Sequence, residues 1–432
     1  MARHVIVVSE DALVYEDLET LKTLPNFSRI WDRTARVNRV RSVYPTITYP
    51  CHTTMMTGVY PDRHGVVNNE QPRLCEVSSP WIHFRESVKA PTVFDCAKAA
   101  GLTTAGAFWP VTGGDQSIDY LVAEYWPQSA DESGYDCFVR SGSSAEVMKK
   151  VVAPNLPFVE GRHRRHPYCD QFVNACACAI VRAFKPNLLM VHPANVDAYR
   201  HHSGLFSPLV THGLHQIDLW LGDLIAATRD AGIYDETDFV ITSDHGQLNI
   251  VRTVSPNAML AERGLIEVAA DGSIGDYTAF CKSAAMSSHV YLKDPGDRDA
   301  CRRTRELLKW MCAEGVYGIS RVYTAEEVAR EERLAGGFSF VLESDGYSSF
   351  TNEWTRPLVR PLDVGDYRFG RATHGHHPDK GPQPTMLCFG PDIRPGAVVE
   401  RGRLVDQAPT IAALLGLKME NIDGAPIGAL LR

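Results

Sequence analysis

No stretch of this 432-residue chain approaches the ~18 consecutive apolar residues of a membrane helix, so the expectation is a protein with no membrane partner. The amino-terminal MARHVIVVSEDAL has only a short apolar run, closed by Ser9, Glu10 and Asp11, and no small-residue cleavage site. It does not read as a signal peptide. The eleven cysteines are an odd number without a CxxC pair, and Cys176 and Cys178 fall in the apolar run ACACAIV. That pattern excludes a disulfide framework and points to reduced, packed thiols in a cytoplasmic protein. Positive charge is scarce, 44 Lys and Arg against 52 Asp and Glu, which disfavours a nucleic-acid polymer as partner. A small anion held by a local cluster is compatible with it, as is a homo-oligomer. Internal repeats and low-complexity tracts are missing. What the chain does have is a 44% hydrophobic content, enough for one large domain with insertions or for two domains.

Three apolar, β-branched runs read as buried parallel strands: HVIVVS (4–9), NLLMVH (187–192) and DFVITS (238–243). Each hands over polar residues at its carboxyl end: Asp11, then Asn195 and Asp197, then Asp244 and His245. Helical periodicity fills the intervals at 170–184 and 212–232, the second stopped by Gly232. Strands alternating with amphipathic helices imply an α/β fold with a mostly parallel sheet, whose ligands sit beyond the carboxyl ends of the strands. From 251 to 371 the pattern loosens into short strands (289–293, 338–342) and a charged helix at 324–334. We read this as an inserted α+β subdomain in a catalytic core made of 1–250 and 372–432. VDQAPTIAALLGL (405–417) returns to that core as a helix capped by Asp406 and stopped by Gly416.

Carboxylates and imidazoles gather where the strand ends should meet. VDAYRHHSG sets Asp197 and His201 four apart, hence on one helical face. In TSDHG, Asp244 and His245 are adjacent and converge only if the strand stops in a turn. RATHGHH adds His374 beside Gly375 in a loop. Taken singly, each has an ordinary explanation: a strand-end aspartate as a turn residue, an i,i+4 pair as a solvated helix face. Jointly, three carboxylates and three imidazoles in this order suit zinc better than the all-oxygen shells of magnesium or calcium.

The ordered set resembles the alkaline phosphatase superfamily, and within it the nucleotide pyrophosphatase/phosphodiesterase branch. The matching pieces are the strand ending at Asp11, PTITYPCHTTMMTGVYPDRHGVVNN (45–69), AGAFWP (105–110), D-x-x-x-H-x-x-G at 197–204, SDHG, THG and the closing DQAPTIAALLG. The resemblance implies a doubly wound sheet flanked by helices and a centre of two zinc ions, with manganese as the alternative. One ion would be held by Asp197, His201 and His374, the other by Asp11, Asp244 and His245. It makes Thr48, before the Tyr-Pro pair, the nucleophile that forms a phosphothreonine intermediate, and Asn69 a phosphate-binding residue. The implied substrate is a small phosphodiester or pyrophosphate, nucleotide-like. Phosphonoacetate-type phosphonate hydrolysis, phosphomonoester hydrolysis and a non-catalytic metal- or ligand-binding protein of the same fold are the alternatives.

Physical reasoning reaches Thr48 separately. Pro50 suits the first turn of a helix through HTTMMTG, which leaves Thr48 at its start, where free N–H groups favour an anion. Thr46 reads as a turn residue, His52 as a histidine packing the helix, and the N–H groups around Cys51 as further phosphate donors. Cys51, at a helix start, could be reactive, but the C-x-P-x-R pattern of a sulfatase is missing. Cys51 and Ala12 stand where relatives usually carry asparagine and glycine. Phe108, Trp109, Tyr120, Tyr125 and Trp126 offer rings for an apolar slot, and Arg200 and Arg371 offer charge for a monoester.

Overall fold

In the computed structural model, which describes residues 3–432, eight strands form one sheet. In chain order they are β1 (His4–Ser9), β2 (Ala35–Arg41), β3 (Thr104–Ala107), β4 (Tyr120–Val122), β5 (Leu188–Val191), β6 (Thr237–Thr242), β7 (Met386–Phe389) and β8 (Val398–Arg403). Across the sheet they lie in the order β8-β2-β7-β6-β1-β5-β3-β4. Only β7 runs against its neighbours. The continuous apolar character of β1, β5 and β6 follows from burial on both faces, since every residue of the three is buried. The mostly parallel α/β sheet expected from the sequence is present.

Helices cover both faces. We label α1 (Thr48–Thr57), α2 (Tyr168–Phe184), α3 (Asn195–Ser203) and α4 (Pro208–Asp230). In α4, Val210, Leu214, Ile217, Leu221, Leu224 and Ile225 recur at three- and four-residue spacing, and all are buried. Ser207 caps its start by accepting from the Val210 N–H at 3.3 Å, and Gly232, at φ 72°, follows its end. The chain from β1 is flanked on one side by β5 and on the other by β6, so the carboxyl ends of these three strands open on a common crevice.

A second sheet is antiparallel, in the order Ala279–Ala284, Ser287–Leu292, Phe340–Ser344, Ile319–Thr324. Phe280, Val290, Leu308, Met311, Phe340 and Leu342 belong to an apolar cluster separate from that of the main sheet. The helix Arg298–Glu314 is capped by Asp297 and closed by Gly315, and Ala325–Glu332 starts in a Thr324/Glu327 capping box. Ala372–Thr373 pairs with Leu248–Asn249, which returns the chain to the strand ends of the main sheet. Among the described residues no helix is long and apolar enough to cross a membrane.

Asp406 departs from expectation. It stands at the start of Gln407–Leu414, but its carboxylate binds Arg403 at 2.7 Å and the Ala425 N–H at 3.0 Å instead of a free N–H of the helix. Tertiary partners outcompete the cap.

Asp238, in β6, is buried and receives the Asp392 N–H at 3.1 Å. Burial pushes its carboxyl up to about 7. The folded state therefore holds a proton that the unfolded chain releases near pH 4, and stability from this group is lost as pH rises from about 4 to about 7. Asp238→Asn keeps an acceptor for Asp392 and removes the titration. Its denaturation midpoint should gain on the parent between pH 5 and pH 7.5, by ~1–2 kcal/mol after solvent screening. An unchanged difference across that range would contradict the assignment.

Candidate metal centre and active site

β1 ends at Ser9 and delivers Asp11 two residues on; β6 ends at Thr242 and breaks into a turn carrying both Asp244 and His245. The turn is what lets adjacent residues converge, as anticipated. α3 presents Asp197 and His201 on one face, with the His201 Nε2 to Asp197 Oδ2 distance 3.0 Å. His374 leaves the short strand Ala372–Thr373 next to Gly375. Gly375 has φ 87°, and a Cβ there would sit 2.0 Å from the Ala284 carbonyl oxygen, so only glycine allows this approach.

All six residues read as ligands come together. His245 Nε2 lies 3.2 Å from Asp244 Oδ2 and 3.6 Å from Asp11 Oδ1, and His374 Nε2 lies 3.9 Å from Asp197 Oδ1. Their donor atoms form two contiguous triads, Asp11–Asp244–His245 and Asp197–His245–His374, with His245 common to both. His201 stands against Asp197, and its Nδ1 is fixed on the Ala372 carbonyl at 2.7 Å, leaving Nε2 directed at the carboxylate. Asp11 Oδ1, Asp244 Oδ2 and His201 Nε2 are buried without a hydrogen-bond partner in the protein. Buried acceptors left unpaired cost free energy, and a cation is the ligand this donor set fits.

Electrostatics point the same way. Burial, then the nearby Asp244, pushes Asp11 well above the usual carboxylate range. Burial would also raise Asp197 and Asp244, but His201 and His374 outweigh it for Asp197, and His245 and His52 for Asp244; both carboxyls are held well below that range. Burial lowers His245 and His374, so the neutral, ligating form of each imidazole is favoured.

Thr48 is the first residue of α1, with Oγ1 3.3 Å from His245 Nε2. Asn69 accepts the Tyr49 N–H through Oδ1 at 2.8 Å, and its buried Nδ2 has no partner in the protein. A fixed amide with a free donor thus sits beside the hydroxyl. The N–H of Cys51 is not available to a phosphate, contrary to expectation, because it donates to the Ile47 carbonyl at 3.1 Å. Thr46 is a turn residue, donating to the His376 carbonyl at 2.8 Å and accepting the Gly375 N–H at 3.1 Å. Cys51 is buried, and burial pushes its thiol well up; it is a packed thiol, not a reactive one. Ala12 adopts φ 58°, the left-handed region where glycine is at ease, and its N–H points at Asp244 Oδ1 at 3.3 Å.

Several sequence candidates lie elsewhere. Arg200 is turned from the centre and ion-paired with Asp17 at 2.5 Å, both side chains buried, so it offers no charge to a ligand. Arg371 carries an exposed side chain beside the ligands and binds His201 only through its backbone, donating its N–H to the His201 carbonyl at 2.7 Å. Asn195 bonds Gln216 at 3.0 Å. Of the five rings, Phe108 and Trp126 line the cleft, while Trp109 packs edge-on to His52, Tyr120 stacks on Phe184 and Tyr125 packs edge-on to His83.

The structure also adds residues. His192, at the carboxyl end of β5, holds Asp11 Oδ2 at 3.0 Å, and Gln247 donates to Asp197. His52, packing α1 as expected, has Nδ1 2.9 Å from the Thr48 carbonyl oxygen and 3.4 Å from Asp244 Oδ2. Trp81, Glu124 and Arg164 join the wall of a cleft of about 620 Å³ that also contains Asp11, Thr48, Asn69 and Tyr367. Tyr367, from the segment after the second sheet, stacks over His374 at 5.8 Å. His192 alone had a usable signal: it ends a strand as Asp11 does.

Comparison with known proteins agrees with this geometry. Human ectonucleotide pyrophosphatase/phosphodiesterase family member 5 is 26% identical over 248 residues, 56% of this chain and 44% of that protein. Ectonucleotide pyrophosphatase/phosphodiesterase 2 of Saccharomyces cerevisiae is 24% identical over 308 residues, 70% of this chain and 54% of that protein. The chain thus aligns with about half the length of these relatives. Murine ectonucleotide pyrophosphatase/phosphodiesterase 5 shares the fold, with a TM-score of 0.68 at 20% identity over 99% of this chain and 100% of that one. A second murine structure, with the same score and coverage, is an inactive threonine-to-alanine variant in complex with AMP. The family model for type I phosphodiesterase/nucleotide pyrophosphatase matches residues 5–359, and the chain belongs to that family of phosphoric ester hydrolases.

Proposed function

We propose that the protein hydrolyses phosphodiester or pyrophosphate bonds of small, nucleotide-like substrates, with Thr48 as nucleophile. The observation that carries this reading is the position of Thr48 Oγ1, 3.3 Å from His245 Nε2, between six buried carboxylates and imidazoles and the free amide of Asn69. Asp197, His201 and His374 would hold one divalent cation and Asp11, Asp244 and His245 a second, and ions bound there would supply positive charge that lowers the pKa of a hydroxyl and offsets charge on the phosphoryl oxygens. Zinc suits the mixed donor set, and manganese is the alternative. Thr48 Oγ1 attacks phosphorus in line; a phosphorus–oxygen bond forms as the bond to the leaving oxygen breaks, giving a phosphothreonine ester. Water then cleaves that ester and restores the hydroxyl. Asn69 Nδ2 donates to a phosphoryl oxygen.

Diester chemistry is favoured over monoester chemistry by the surroundings. A monoester needs a cation for its extra charge; Arg200 is committed to Asp17, and of the cleft-wall arginines Arg368 is paired with Glu70 at 3.1 Å and Arg164 lies over the rings of Trp81 and Trp126. Trp81, Phe108, Trp126 and Tyr367 instead line a cleft wide enough for a second substituent. The AMP complex of the murine neighbour supports a nucleotide-like ligand. We read residues 251–371 as an insertion that contributes Tyr367 to this wall, and the free state of all eleven thiols supports a reducing compartment. Bis-p-nitrophenyl phosphate, p-nitrophenyl phosphate and phosphonoacetate, assayed with zinc and with manganese, test the reading. The diester should show the highest kcat/KM by at least about tenfold. Preference for phosphonoacetate or for the monoester would overturn it.

A further inference from the structure

A third group of metal-ligating side chains lies in the same cleft wall, outside the two triads: His166, Cys169 and Asp170. Cys169 and Asp170 occupy the first turn of α2, and His166 precedes them in the loop that leads into the helix. Cys169 Sγ lies 3.3 Å from His166 Nδ1 and 3.7 Å from Asp170 Oδ2, and His166 Nδ1 lies 2.8 Å from Asp170 Oδ2. A tetrahedral zinc with ordinary bond lengths sets its sulfur–nitrogen and sulfur–oxygen ligands about 3.6 Å apart and its nitrogen–oxygen ligands about 3.4 Å apart. Two edges of the observed triangle therefore match to about 0.3 Å, and the His166–Asp170 edge has to open by about 0.6 Å.

The donors are also held for the task. Asp170 Oδ1 accepts the Ala194 N–H at 2.8 Å, which turns Oδ2 toward His166 and Cys169. Ala194 immediately precedes α3, the helix that carries Asp197 and His201, so the group is braced on the catalytic scaffold. Outer partners that fix a ligating carboxylate in this way are a regular feature of metal sites. Cys169 and Asp170 are buried while His166 is partly open to the cleft, which leaves a fourth coordination position for water or a substrate oxygen.

We propose that His166, Cys169 and Asp170 form a third cation site, selective for a zinc-class divalent ion by its one thiolate. Thiolate, imidazole and carboxylate together favour zinc or cobalt over magnesium or calcium, whose shells are oxygen. Neither catalytic triad contains sulfur, so a sulfur-specific signal isolates this site whether or not the proposed reaction is correct.

The test is cobalt substitution of the full-length, chelator-stripped protein, read by absorption. The wild type should develop a near-ultraviolet thiolate-to-cobalt charge-transfer band as Co2+ is added, and excess Zn2+ should abolish it. Cys169→Ser should lose the band, and His166→Asn should weaken or lose it. Bound metal per chain, by elemental analysis, should fall by one in Cys169→Ser. A wild type without the band, or a band that survives in Cys169→Ser, would overturn the proposal; the first outcome is decisive even if a variant fails to fold.

Discussion

Thr48→Ala is expected to lower kcat for the preferred diester by about 10⁴-fold or more, with bound metal and thermal stability close to those of the parent. The size of the effect follows from the absence of a substitute. The neighbouring threonine, Thr46, is tied to the His376 carbonyl and the Gly375 N–H, and the Cys51 thiol is buried against Ser42 at 3.2 Å. Removing one small side chain from the first turn of α1 leaves the six ligands in place, so the loss would be in chemistry and not in folding. Thr48→Ser should retain partial activity, because it keeps the hydroxyl and gives up only the methyl that limits its rotamers. A Thr48→Ala protein with wild-type turnover would remove the nucleophile from the account. A protein that lost metal with the threonine would instead make Thr48 part of the ligand shell.

Arg200→Met is expected to destabilise the fold by ~3–5 kcal/mol, the usual cost of leaving a buried carboxylate without its partner. Arg200 and Asp17 side chains are 1% and 3% exposed, and Asp17 also accepts the Val14 N–H at 2.9 Å. The stranded charge has no solvent to turn to. Arg200 lies next to His201 in α3, so part of the cost should appear as weaker metal retention as α3 loosens. The double variant Arg200→Met with Asp17→Leu should recover a substantial part of the lost stability, because it removes the orphaned charge along with its partner. Urea midpoints of the four proteins of this cycle would measure it. Equal stability of Arg200→Met and parent would mean that the pair contributes nothing.

How far the sequence carries the reading depends on range. β1, β5 and β6 were legible because strands buried on both faces are unbroken apolar runs, and α2 and α4 because their periodicity is local. Asp11, Asp197, Asp244 and His245 were legible because they lie just past such runs, whose ends a parallel sheet brings together, whereas His201 was legible from its four-residue spacing to Asp197 and His374 from the family resemblance. Arg200 misled for the opposite reason: its partner, Asp17, is 183 positions away, and sequence proximity to His201 says nothing about where a long side chain turns. Trp81, Arg164 and Tyr367 were beyond reach for the same cause, since they come from loops whose course is set by tertiary packing. Within the cleft, Arg164 lies over the rings of Trp81 and Trp126, at 5.3 and 4.6 Å, a contact with no local pattern in the sequence. Asp406 shows the limit of capping signals, which predict position better than bonding.

Whether the six side chains hold two cations next to Thr48 can be settled by anomalous diffraction at the zinc absorption edge from crystals of the zinc-loaded protein. The account predicts one peak within bonding distance of Asp11, Asp244 and His245 and a second within bonding distance of Asp197, His201 and His374, both facing Thr48 Oγ1. Crystals of active protein that show no anomalous density at either triad would contradict it.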